Sequence, residues 1–266
     1  MTHNTNATLL NLRSAGKRLF DAAFTCAAIA ILIAMCGVAL SGCATSGTKV
    51  EQYGVMREVM RDGHTEARVC LSKAVARPHA YAVGALEGLA GEITIVDGDV
   101  WVARVVDGDV KMSGPLPASQ DQATLLTLTH VDKWESIPVT MEVEGDALES
   151  YIEQTARALG IDTSQPFPFV IEGDAIRADL HVINGYCPIA TDPATMEAQP
   201  WEWSSPKAGP AVLVGFYAAE SGGVMTHHGT SVHMHGVINI DGRTVAGHTD
   251  SAMVMPSAVL RLPISR

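Results

Sequence analysis

Hydrophobic positions recur with a period of two over much of this chain and with a helical period over little of it. From His79 to Ser113, short runs rich in β-branched residues are cut by glycine or by an Asp-Gly pair, at Asp97-Gly98 and again at Asp107-Gly108. Asp-Gly readily adopts the positive φ values of a tight turn, so the stretch predicts a meander of hairpins. Before it, Tyr53 to Val75 places apolar residues at helical spacing, with a break near Gly63. Thr124 to Thr140 predicts a strand with a turn before Pro138, and Phe167 to Gly185 predicts a β-hairpin. The clearest helix is GDALESYIEQTARALG, Gly145 to Gly160. There Asp146 stands at the cap with Glu149 three residues on. Leu148, Ile152, Ala156 and Leu159 form one apolar side, and Gly160 stops the helix. A Pro-rich stretch over 187–210 reads as a domain boundary or a covering flap. Ala211 to Glu220 predicts a strand, and Ser251 to Arg266 one or two more. The pattern is that of a mixed α/β chain with more strand than helix.

The first 43 residues follow a different pattern. Arg13, Lys17 and Arg18 precede a nearly unbroken apolar run, Ala22 to Leu40, which ends in Leu-Ser-Gly-Cys. A basic start, an apolar run and small residues before a cysteine read as an export signal. The box resembles the cleavage site of bacterial lipoproteins, which implies a signal peptide over 1–43 and lipidation of Cys43. A retained transmembrane anchor is the other reading, since the run is near spanning length. Either one places the body outside the cytoplasm, and the first holds it to the membrane through the lipid on Cys43. In the body, Cys70 and Cys187 either form one disulfide or remain thiols.

Composition narrows the function classes. Of the 266 residues, 47% are hydrophobic, enough for a substantial core. The formal net charge of -11 argues against any general attraction to nucleic acid or anionic lipid. No phosphate-binding loop, dinucleotide fingerprint, coiled coil or nucleic-acid module is present in the sequence.

The candidate chemistry lies in SVHMHGVINIDGRTVAGH, Ser231 to His248. On a strand, His233 and His235 project to one side while Val232 and Met234 project to the other. A turn at Asp241-Gly242 returns the chain and brings His248 back towards the pair. Three neutral imidazoles with a position left open suit zinc, although imidazole also serves iron, nickel and copper. The same spacing fits two solvent-facing histidines and a third that caps a turn. His227 and His228 lie nearby as loop residues, outer partners or alternative ligands. Glu92, opening a strand after Gly91, is a candidate acid–base group or an ordinary turn residue, and Glu87 is equally ambiguous.

Taken together, YAVGALEGLAGEITIVDGDVW, LLTLTHVDKW, VLVGFYAAE and HMHGVINIDGRTVAGHTD resemble the acetolactate decarboxylases, in order, from about Glu51 to Asp250. The resemblance implies an α/β fold (mixed α+β, strand-rich) of two packed mixed or antiparallel β-sheet subdomains with few helices. The N-terminal region would span 44–190, and the C-terminal region, 191–266, would carry the metal site. It implies that His233, His235 and His248 bind Zn2+, that Glu92 is an active-site residue, and that Arg243 serves in a salt bridge more than in chemistry. Three departures stand out. The hairpin between His235 and Arg243 is longer than usual by two residues. The family's active-site arginine, eight residues beyond the turn at Gly173, is His181 here, while Arg177 lies on the same stretch. The family's further C-terminal glutamate has no counterpart before Arg266.

The implied reaction is zinc-dependent decarboxylation of a 2-hydroxy-3-oxo acid, such as 2-acetolactate to acetoin, through a metal-stabilised enediolate. Glu92 would handle the proton, and Arg177 or His181 would hold the carboxylate. The implied partner is a small hydroxy-keto acid; nucleic acid is not expected, and there is room for a homodimer. Other readings are a metal-dependent hydrolase of small esters or lactones, and a non-catalytic lipoprotein that binds zinc or a small acid.

Overall fold

Asp-Gly pairs set the reversals of this chain. In the computed structural model, which describes residues 48–186, 192–196 and 198–264, Asp97-Gly98, Asp107-Gly108 and Asp241-Gly242 all have positive φ, between 50° and 90°. That backbone matches the right-handed twist of the strands on either side of a two-residue turn. The predicted meander follows as β3 (Ala80–Leu86), β4 (Glu92–Val96), β5 (Asp99–Val106) and β6 (Asp109–Leu116). With β1 (Glu51–Tyr53), β2 (Val69–Cys70) and β7 (Gln122–His130) they form a seven-stranded antiparallel sheet, in the order β1-β7-β3-β4-β5-β6 with β2 also on β7. The helical pattern of Tyr53 to Val75 yields only two short helices, α1 (Met56–Met60) and α2 (Leu71–Ala74), on either side of Gly63.

The second sheet has eight strands: β8 (Trp134–Pro138), β9 (Val143–Glu144), β10 (Phe167–Val182), β11 (Trp201–Ser204), β12 (Gly209–Tyr217), β13 (Val232–Ile240), β14 (Arg243–Val254) and β15 (Val259–Pro263). Its order is β8-β15-β10-β12-β13-β14-β9, with β11 on β10. An additional pairing of β10 with β14 closes β10, β12, β13 and β14 into a small antiparallel barrel. The chain passes from one sheet to the other at residues 131–133, and Ser46–Arg266 is one compact unit. The boundary expected at 190 lies between β10 and β11, outside the described residues. The fold is strand-rich with two packed sheets and few helices, as the sequence implied. No helix among the described residues is long and apolar enough to cross a membrane. Cys43 and Cys187 lie outside those residues.

The hairpin expected over Phe167 to Gly185 is instead one strand of 16 residues, β10. Glu172-Gly173-Asp174 bends the chain without reversing it, and the register slips between Gly173 and Ile176. Gly173 allows this because a Cβ there would stand 2.8 Å from the Ala258 Cα. A slip changes which side chains point inward. Phe167, Phe169 and Ile171 face the barrel core before the bend, and Ile176, Ala178, Leu180 and Val182 after it. Arg177, Asp179 and His181 are thereby left on the outer side. Gly215 makes room for the Phe169 ring, since a Cβ at Gly215 would lie 2.2 Å from its Cζ. Phe169 and Phe216 are fully buried, each contributing about 1.5–3 kcal/mol by leaving water.

Four local expectations change. The helix over Asp146–Ala158, α3, is capped by Gly145 with no side-chain cap. Glu149 accepts instead from the Thr230 hydroxyl (2.8 Å) and the Ser231 amide (3.1 Å), tying α3 to the chain entering β13. Leu159 lies past the last helical turn and is exposed. The turn expected before Pro138 comes before Trp134, and part of the Pro-rich stretch pairs with β10 as β11.

The outer face of the barrel packs on the first sheet. Tyr81 and Val83 of β3 meet Val170, Val214 and Phe216. Alternation on β4 sends Ile93 and Ile95 to the far core of the first sheet and turns Glu92 and Thr94 towards the barrel. The candidate site lies at this junction.

Candidate metal centre

His233 and His235 sit on β13 with Met234 between them, and Met234 belongs to the barrel core while both histidines face outward. The turn at Asp241-Gly242 sets the register so that His235 pairs with His248. Residues paired across antiparallel strands point to the same face, so three imidazoles gather on one side of a single hairpin. All three are buried, and one nitrogen from each lies within 4.8 Å of the others. The ring centroids are 5.2 Å apart for His233–His235, 5.2 Å for His233–His248 and 5.4 Å for His235–His248.

Those separations suit one ion. A Zn–N bond of about 2.0–2.1 Å plus roughly 1.1 Å from nitrogen to ring centre sets imidazoles at the corners of a tetrahedron about 5.2 Å apart. The His233 Nδ1 and the His235 Nε2 are buried without a hydrogen-bond partner. Orphaned buried nitrogens are costly unless something binds them. Burial pushes the His233 imidazole down to about 3 and holds His235 and His248 well below the ordinary histidine range, with the neighbouring histidines adding to the effect. All three are neutral at pH 7, the form that binds a metal. The donor set therefore fits zinc.

The first sheet orients the centre. The Thr94 Oγ1 lies 3.3 Å from the His235 Nδ1. Glu92 is 4% exposed; its Oε1 accepts from the Ile183 amide at 3.4 Å, and its Oε2 is 3.7 Å from the His235 Nε2. Burial pushes the Glu92 carboxyl up to about 7, with the His181 charge acting in the opposite sense. With His235 held neutral, the 3.7 Å approach is a contact between a protonatable acid and a neutral ring, not a settled ion pair.

His181 joins from the barrel's other seam. It pairs with His248 across β10 and β14, and their ring centroids are 4.7 Å apart. The Asp250 Oδ1 lies 2.7 Å from its Nδ1. Although burial opposes the charge, the Asp250 bond and the charges of Glu92 and Asp250 raise the His181 pKa above the ordinary value. Arg177 is not brought to the cluster. It is exposed, pairs with Met253 and lines a separate cleft with Glu144, Asp179 and Ser251. Four residues of strand, about 13 Å, separate it from His181.

The remaining candidates are placed as follows. Arg243 bridges to Asp109 at 3.0 Å and lies over the Trp201 ring, away from the histidines. Glu87 is exposed and accepts from the Ala67 amide. His228 is exposed, whereas the His227 ring stands 5.5 Å from that of His248 and 6.5 Å from that of His233. Desolvation, with the charge of His181, lowers the His227 pKa. A cleft of about 360 Å³ reaches this edge, lined among others by Leu148, Glu149, Met234, His227, His248 and Asp250. Thr94 and Asp250 were not singled out from sequence. Thr94 was within reach, since period two puts it on the face of Glu92; Asp250 was not, because a register shift beside it sets its direction.

No protein-family model matches the chain, and no curated protein matches it in sequence. Solved structures do match in fold. A Staphylococcus aureus protein of unknown function similar to α-acetolactate decarboxylase superposes with a TM-score of 0.61 at 17% identity, over 80% of this chain and 84% of that one. The α-acetolactate decarboxylase of Bacillus subtilis strain 168 gives 0.61 at 16%, over 80% and 85%. That of Bacillus subtilis subspecies spizizenii gives 0.57 at 15%, over 80% and 85%. The fold is that of the acetolactate decarboxylases.

Proposed function

We propose that this protein, built on the acetolactate decarboxylase fold, is a zinc-dependent carboxy-lyase acting on a small 2-hydroxy-3-oxo acid such as 2-acetolactate. The observation that carries the reading is a buried trio of neutral imidazoles, two with unpartnered nitrogens, beside a buried carboxyl group. His233, His235 and His248 would hold the zinc. The chemistry that zinc supplies when bound is Lewis-acid stabilisation of the charge left on the ketone oxygen as carbon dioxide departs.

The chain's own residues do the rest. Thr94 fixes the ring of His235. Glu92 and the three imidazoles are buried between the packed sheets, and keeping bulk water from them strengthens every polar interaction there. Glu92 keeps a proton near neutrality and stands next to His235, a suitable place from which to protonate the carbon that has lost its carboxylate. His181, held by Asp250 on the flank of His248, takes the carboxylate-positioning role in place of Arg177, which lies too far along β10. The leader read from the sequence would export the protein and tether it through Cys43.

The test is acetoin formation from racemic 2-acetolactate by the zinc-loaded protein, against His235→Ala and against buffer. Zinc-dependent acetoin production, lost in His235→Ala, is expected. Rates equal to buffer at full zinc occupancy overturn the reading, and chelator-sensitive cleavage of model esters without acetoin would favour the hydrolytic alternative.

A further inference from the structure

The trio suits three corners of a tetrahedron, and the ring of His227 stands against two of its members. Within the trio the centroids are 5.2–5.4 Å apart. His227 lies 5.5 Å from His248 and 6.5 Å from His233. Tetrahedral imidazoles around zinc stand about 5.2 Å apart. Of the three edges, the one to His248 matches and the one to His233 is long by little more than an ångström. The ring makes no contact with that of His235 among the described residues, so the side chain must swing inward to reach the ion. His181, the other imidazole in the cluster, makes a ring contact with His248 alone among the described residues, and its Nδ1 is engaged by Asp250.

The loop between β12 and β13 presents His227 in a fixed way. The Ala218 amide bonds the Ser231 carbonyl at 2.7 Å, closing the loop at its base. Inside it, the Gly223 amide bonds the Thr226 carbonyl at 2.7 Å, and the hydroxyl of fully buried Thr226 donates to the Thr230 carbonyl at 2.9 Å. Amides of α1 hold it from outside, Met56 to the Val224 carbonyl and Arg57 to the Gly223 carbonyl. Glu149 grips Thr230 and Ser231. Residues on both sides of His227 are thus pinned, yet no hydrogen bond to either of its ring nitrogens is found among the described residues. A loop held so firmly brings the His227 ring to the edge of a donor cluster, where it is placed to bind what the cluster binds.

We propose that His227 is a fourth nitrogen donor to the ion held by His233, His235 and His248, supplied by the β12–β13 loop on the side facing the cleft. The inference rests on the trio being a metal site, and it adds that the resting centre has four histidines.

Cobalt(II) titration of the full chain tests it, read by affinity and by visible absorption, whose intensity falls when a protein donor gives way to water and coordination expands. His227→Ala should bind cobalt at least about tenfold more weakly, the lower end of the loss seen when even an outer partner of a metal ligand is removed. Its bands should be altered, and added imidazole should restore them. His228→Ala, one residue along the same loop, should match the wild type. A His227→Ala protein with wild-type affinity and spectrum overturns the proposal while leaving the trio intact. Equal changes in both variants, or no restoration by imidazole, also overturn it. A wild type that takes up no cobalt removes the metal centre itself.

Discussion

His235 and His248 occupy directly paired positions on β13 and β14, with ring centroids 5.4 Å apart. His248 is paired on its other side with His181 of β10. The three therefore form one row across the barrel wall, and His233 adds a second row two residues along β13. Metal uptake should report this geometry. Zinc at a hundredfold its dissociation constant stabilises a fold by about 2.7 kcal/mol, a rise in melting temperature of about 5–10 °C for a domain of this size. Scanning fluorimetry with zinc and with a chelator should show that rise in the wild type. It should be absent in His235→Ala and His248→Ala.

Glu92 carries the proton-transfer assignment. Glu92→Gln keeps the side chain's shape and removes its ability to give up a proton. Zinc affinity should change by no more than a few fold, while acetoin production should fall by about 100- to 10,000-fold. A variant that loses zinc along with activity would instead make Glu92 a support of the centre.

Thr94 acts through His235. Thr94→Val keeps the β-branched shape on β4 and deletes the oxygen that stands 3.3 Å from the His235 Nδ1. Zinc should bind about 10–100-fold more weakly, with the melting temperature of the metal-free protein nearly unchanged. A competition titration against a chromophoric chelator measures the first and a thermal scan the second.

Gly215 governs the closure of the barrel. A Cβ there would meet the Phe169 Cζ at 2.2 Å, and Phe169 is fully buried. Gly215→Ala should destabilise the protein by about 1–3 kcal/mol, read as a lower urea midpoint with an unchanged slope.

Much of this architecture was legible in one dimension because its signals are local. A strand's alternation declares which residues share a face, and Asp-Gly declares a tight turn. His233, His235 and His248 could therefore be grouped, and the β3–β6 meander drawn, without coordinates. Where the hydrogen-bond partner lay far away in sequence, the reading failed. Glu149 looked like half of a capping box, yet Thr230 and Ser231 compete for it and win. Glu172-Gly173-Asp174 looked like a hairpin turn, but pairing with β12 and β15 on both edges holds the strand straight enough to continue past it.

The amino-acid order alone determined the strand-rich character, the hairpin that gathers the three histidines, and the side of β4 on which Glu92 stands, since each depends on backbone periodicity over a few residues. Only the tertiary structure decided that His181 and not Arg177 meets the cluster, that Asp250 holds it, and that Thr94 and His227 border the same centre. Those choices follow from a register slip in β10, the closure of that strand onto β14, and the packing of one sheet on the other. Such long-range contacts are set by the shape and burial of the whole core, and no short stretch of sequence specifies them.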